Sequence, residues 1–132
     1  MNREELMDLF SERIRELLVR LPVDYEEVQE IRLRAEKPLL IRYGTGEYFV
    51  TEEGTLSKEE SKGFLVDKKE LMETMEYIAN YSLYAYEEEL KQGYLTVRGG
   101  HRIGVAGKII MDGNRISSVR YISFLNVRLS HE

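Results

Sequence analysis

A chain of 132 residues, 42% hydrophobic and 33% charged, has the size and balance of one globular domain with a core, which sets aside disordered and fibrous classes. It has no cysteine, so disulfide frameworks, thiol catalysis and cysteine-zinc sites are excluded, and no apolar run approaches the ~18 residues of a membrane span. Its formal charge of -5 would repel a polyanion, yet the charge is uneven: residues 1–98 carry 14 Lys/Arg against 22 Asp/Glu, and residues 99–132 carry 5 against 2. The opening Met1-Asn2-Arg3-Glu4-Glu5 is unlike a signal peptide, so a soluble, cytoplasmic domain is expected, with a basic sheet face opposite acidic helices.

Asn2 and Glu5 form a capping pattern ahead of Leu6, Leu9, Phe10, Ile14, Leu17, Leu18 and Leu21. Their spacing of three and four predicts one amphipathic helix of about five turns, ended by Pro22. Glu4, Asp8, Glu12, Arg15 and Glu16 fall on its solvated side. Asp24 caps a short turn, Tyr25-Glu26-Glu27. From Glu30 the period changes to two, predicting strands over 28–34, 39–43 and 47–51 as an antiparallel meander. Residues 52–66, with Gly54 and Gly63, read as a long mobile loop with a strand turn near its end.

Asp67 and Glu70 form a second capping box, before a helix carrying Leu71, Met72, Met75, Ile78 and Ala79. Ser82 is expected to cap a short helix over 83–91, with Gly93 in the left-handed position past its end. The remainder reads as β: a strand over 94–98, a Gly99-Gly100 turn, a strand over 102–111, an Asp112-Gly113-Asn114 hairpin turn and returning strands to Arg128.

Four features invite chemistry. The run from Gly99 to Lys108 is glycine-rich, but Arg102 stands where a P-loop needs its first glycine and Ile109 where it needs Ser or Thr. No set of its glycines has the dinucleotide spacing, and an antiparallel strand is the wrong context. Gly104 and Gly107 instead suit a bulge, or close approach of a helix or neighbouring subunit. His101 and His131 are the only imidazoles; no ligand-spaced cluster surrounds them, and His101 reads as a turn residue rather than a catalyst. Glu87-Glu88-Glu89 reads as a solvated acidic face. Tyr77, Tyr81, Tyr84 and Tyr86 read as a half-buried aromatic side of the helical layer, since the acidic residues around them oppose base stacking.

Leu21-Pro22, Glu30 to Arg34, Lys37-Pro38-Leu39, the long stretch Gly93 to Lys108 and Ile116 to Arg128 together resemble the stage III sporulation protein AA family over nearly the whole chain. The resemblance implies a cytoplasmic ATPase similar to the hexameric motors of type II secretion and type IV pili. It would work on the mother-cell side with a membrane channel leading to the forespore. Family members continue into a RecA-like domain with a P-loop, absent over residues 1–132, so the chain resembles the family's N-terminal domain alone. It would then be either a piece of a longer protein or a natural short form.

The implied function is a non-catalytic assembly and coupling domain. ATP and Mg belong to the ATPase domain, and no cofactor or metal is expected within this chain. Expected partners are its own ATPase domain, neighbouring subunits of a homo-hexamer and a membrane channel component, with nucleic acid disfavoured and no membrane insertion. A looser similarity to pilus-retraction ATPases, through Arg102-Ile103-Gly104-Val105 and Arg120-Tyr121-Ile122, suggests that Arg102 or Arg120 senses nucleotide across a subunit boundary, although Gly104 stands where those motors have Asn. Interface candidates are Gly100, His101, Arg102, Gly104, Gly107 and Lys108. Two alternatives stand beside this: a binding module for an anion or nucleic acid through residues 99–128, and a small enzyme pairing His101 with a carboxylate. The expected fold is α+β, a twisted antiparallel sheet with helices mainly on one face, similar to the PAS-like front domain of secretion ATPases.

Overall fold

In the computed structural model, residues 1–81, 86–112 and 115–131 are described, with 86–87, 108–112 and 115–121 described by backbone alone. The first apolar stripe goes inside as its spacing requires: Leu6, Leu9, Phe10, Ile14, Leu17, Leu18 and Leu21 are all buried. It is not one helix, however. α1 (Arg3–Met7) and α2 (Glu12–Arg20) are separated by a tight turn. Asn2 caps α1 by accepting from the Glu5 amide at 3.2 Å.

The break is held from outside the helix. The Ser11 amide donates to Thr74 Oγ1 at 3.0 Å, and the Arg15 guanidinium donates to the carbonyls of Met7 (3.1 Å) and Phe10 (3.0 Å). Freed backbone groups are thereby satisfied, and Leu9 and Phe10 both turn inward. Arg15 is therefore a structural cap and not part of a merely solvated face.

Asp24 caps the 3-10 turn Tyr25–Glu27 by accepting from the Glu26 amide at 3.0 Å. Then β1 (Val28–Arg34), β3 (Leu40–Tyr43) and β4 (Gly46–Val50) form the expected meander. The 52–66 segment is more closely built in than its composition suggests. β5 (Leu56–Ser57) pairs with β4, and β6 (Leu65–Val66) pairs with the two-residue β2 (Lys37–Pro38). Phe64 and Val66 are buried. Gly63 lies so close to this pair that a Cβ there would fall 2.5 Å from Pro38 Cβ, well inside contact distance.

α3 (Lys68–Asn80) starts with the expected Asp67–Glu70 capping box and buries Leu71, Met75 and Ile78. α4 covers Tyr86–Lys91; the expected Ser82 cap lies outside the described residues. Gly93 follows with φ of 87°. The acidic run is not all solvated: Glu89 accepts from the Thr96 amide at 2.6 Å, tying α4 to the sheet edge, while Glu88 is exposed.

β7 (Tyr94–Thr96), β8 (Arg102–Asp112) and β9 (Arg115–Arg128) complete a seven-stranded antiparallel sheet, with order β5-β4-β3-β1-β9-β8-β7. The Asp112-Gly113-Asn114 turn includes residues outside the described set. The last strand therefore sits between the first and the hairpin that precedes it.

The register sorts the strands' two faces. Tyr48, Ile41, Ile31, Val127, Ile103 and Leu95 are consecutive cross-strand partners, and all but Tyr48 are fully buried. This row is the floor of the core that the helices cover, consistent with an α+β fold with one helical layer.

Candidate functional site

The glycine-rich run folds as a hairpin corner and the strand beyond it. Gly99 and Gly100 have φ of 92° and 82°, which a side chain resists, and the Gly100 amide closes the turn on the Val97 carbonyl at 3.0 Å. No strand-to-helix turn forms there, so a phosphate-cradling nest of the P-loop kind is not built.

His101 does not stay in the turn. It points inward and is 1% exposed. Its Nδ1 accepts from the Ser130 amide at 3.0 Å, which places the proton on Nε2, where it has no hydrogen-bond partner. Neither nitrogen is hydrogen-bonded to a carboxylate, so the acid–base pairing of a small enzyme is not made at His101. Glu5 lies nearby, its Oε2 3.4 Å from where a Gly99 Cβ would stand.

Burial lowers the His101 pKa, reinforced by His131 and the terminal amine and opposed by Glu5. The folded chain thus prefers neutral His101. Its contribution to stability is intact above the unfolded value near 6.5 and is lost as pH falls below it, because the unfolded chain then binds the proton more readily. Urea unfolding at pH 7.5 and 5.5 is expected to give a larger acid-side loss for the native chain than for His101→Gln. Equal losses would mean that His101 does not set the slope.

Arg102 and Gly104 lie on the opposite, open face. The Arg102 guanidinium sits 4.4 Å from the Tyr94 ring centroid. Gly104 is not needed for close approach: a Cβ there would meet Asn126 Cβ at an ordinary 3.7 Å. Gly107 does mark an irregularity, since the register of β8 and β9 shifts between Ala106 and Lys108. Lys108 pairs with Arg120 beyond that shift, about 20 Å along the strand from Arg102 at ~3.4 Å per residue. The backbone register therefore separates Arg102 from Arg120 along the sheet, and His101 is turned to the face opposite Arg102.

Residues outside that run complete the open face. Glu47, Arg42, Glu30, Arg128 and Arg102 are successive cross-strand partners. The Glu30 carboxylate, 9% exposed, reaches Arg32 Nε at 3.0 Å, Arg128 Nε at 3.4 Å and Arg42 at 3.6 Å. Glu47 reaches Arg32 at 3.6 Å and Arg42 at 3.9 Å. One step along the strands, Arg32, Asn126, Gly104 and Tyr94 form the next row. The signal was present as polar positions alternating with buried ones in Glu30-Ile31-Arg32-Leu33-Arg34, but the rest of the face lies on five other strands.

Among the described residues, no group of three His, Asp or Glu side chains is gathered as a metal ion would require. Among them, no helix is long and apolar enough to cross a membrane.

The profile of the family described as "Sporulation stage III, protein AA" matches residues 1–132. The chain belongs to that family. It is 32% identical over 130 residues to Stage III sporulation protein AA of Bacillus subtilis (strain 168), a match that covers 97% of this chain and 38% of the relative. The chain thus spans well under half the length of that curated relative. No solved structure matches it.

Proposed function

We propose that this domain is a non-catalytic assembly and coupling domain of a sporulation ATPase that powers or assembles a mother cell–forespore channel. The observation that carries the reading is the coverage: the match to the sporulation protein runs along 97% of this chain but only 38% of the relative. The larger part of the relative lies outside the match, and that part is where the proposal puts the P-loop, ATP and Mg. The glycine run of this chain folds as an antiparallel corner, which agrees with a supporting role rather than a nucleotide-cleaving one. The partners on this reading are the chain's own ATPase domain and neighbouring subunits of a hexamer, and the channel's membrane component.

The experiment compares the full-length protein with a version lacking residues 1–132. Assembly is read by analytical ultracentrifugation in Mg-ATP, and turnover by phosphate release. Loss of the hexamer with at least a tenfold fall in turnover is expected, the scale of losing a completed catalytic constellation. Unchanged assembly and turnover would overturn the proposal.

A further inference from the structure

Charge gathers on the open face of the sheet. Along the row Glu47, Arg42, Glu30, Arg128, Arg102, acid and base alternate until the last step, where two arginines are direct cross-strand partners. Like charges placed opposite one another repel. Arg128 shares Glu30 with Arg32 and Arg42, so one buried carboxylate already answers three guanidiniums. Arg102 stacks on Tyr94, and no carboxylate among the described residues forms an ion pair with it.

Beside this pair the face is shaped as well as charged. Gly104 and Asn126 are cross-strand partners one step along from Arg102 and Arg128. Gly104 presents no side chain opposite Tyr94, and Asn126 and the Phe124 ring stand at ordinary contact distance from where its Cβ would be. A carboxylate seated there would meet the two guanidiniums of Arg102 and Arg128.

We infer that the open sheet face is a docking surface for an acidic segment of a partner protein, with one carboxylate seated between Arg102 and Arg128. Such a carboxylate continues the alternation that Glu30 and Glu47 begin. It relieves the opposed arginine pair and takes the planar fork geometry that guanidinium groups present. The charge balance favours a carboxylate over a polyanion. A short acidic segment adds a few negative charges beside Glu30, whereas a long nucleic acid adds many more to a chain already at -5. That the bearer is a partner within a motor rests on the proposed assembly role; the site itself rests on the register and the ion pairs.

The test uses a fluorescently labelled oligoglutamate peptide, with anisotropy followed at about 50 mM salt, where such pairing is weakly screened. Circular dichroism confirms that each variant is folded. Arg102→Gln and Arg128→Gln are each expected to weaken binding about tenfold, the scale of one lost charge-assisted contact. Arg20→Gln, an exposed arginine on α2 far from this row, is expected to change it less than twofold. Arg102→Lys keeps the charge without the fork and is expected to fall between.

Absence of binding overturns the inference, as does equal weakening by all three glutamine variants, which would mean attraction to net charge alone. Tripolyphosphate binding that depends on Arg102 and Arg128, with no oligoglutamate binding, would reassign the face to a phosphate ligand. The outcome is separable from the assembly experiment. If removing residues 1–132 abolishes the hexamer but oligoglutamate does not bind, this inference alone falls. If the peptide binds at Arg102 and Arg128 while assembly survives the deletion, the assembly role falls and the carboxylate site stands.

Discussion

Replacing Phe10 with alanine is expected to lower the unfolding free energy by about 3–5 kcal/mol, the range for truncating a buried phenylalanine. Phe10 is fully buried, in the turn between α1 and α2. That turn is pinned on both sides by Arg15 to the Phe10 carbonyl and by the Ser11 amide to Thr74. A pinned backbone cannot easily collapse into the space the ring leaves, so the loss should fall in the upper part of the range. Since domains of this size have about 5–15 kcal/mol in total, the variant would be close to unfolding at physiological temperature. Urea titration measures it directly. Val19→Ala, at a residue 50% exposed on α2, should shift the midpoint very little. Similar effects at the two sites would mean that the turn is not part of the core.

Removing the Glu30 carboxylate should have the second largest effect, about 2 kcal/mol for Glu30→Ala. Breaking a buried ion pair costs about 3–5 kcal/mol when the partner is left unpaired in the interior. Here the partners are arginines whose side chains are 32%, 45% and 67% exposed, so water takes up part of their charge and the lower figure applies. The cause is repulsion among Arg32, Arg42 and Arg128, with Glu47 left to answer Arg32 and Arg42 while Arg128 loses its ion pair. Added salt should therefore return part of the loss in Glu30→Ala and do less for the native chain. A loss that is indifferent to salt would point to packing rather than charge.

The strands were legible because burial on one face imposes a period of two, and Glu30 to Arg34 carries it plainly. The division of the first helix was not. Leu6, Leu9, Phe10 and Ile14 keep spacings of three and four straight across the turn, so periodicity alone reads it as continuous. What breaks it is Thr74, sixty-three residues away, with Arg15 bonding back to the carbonyls. Tertiary partners of that kind leave no trace in a local pattern.

The site shows the same limit. Counting charge by segment picked out the basic C-terminal quarter and with it Arg102. The arginines that share Glu30 include Arg32 and Arg42, from the acidic part of the chain, where an excess of Asp and Glu conceals them. The described part of that face carries Glu30 and Glu47 among its arginines, and its membership depends on which strands lie side by side. The insertion of β9 between β1 and β8 decides that, and no local signal announces it. His101 failed as a turn residue for a related reason: the strand parity that sends Arg102 outward sends His101 inward, towards Ser130.

The position of β9 also sets when this domain can fold. The middle of the sheet is made by joining Glu30 to Arg128, about a hundred residues later. During synthesis the meander of β1, β3 and β4 emerges early, but one edge of β1 has no neighbour until β9 leaves the ribosome. The closure entropy of that long separation must be met before the pairing returns anything, which places the domain among slow-folding, high-contact-order topologies. Until then the nascent chain carries an open strand edge with Ile31 and Leu33 uncovered, the interval in which a chaperone would find most to bind.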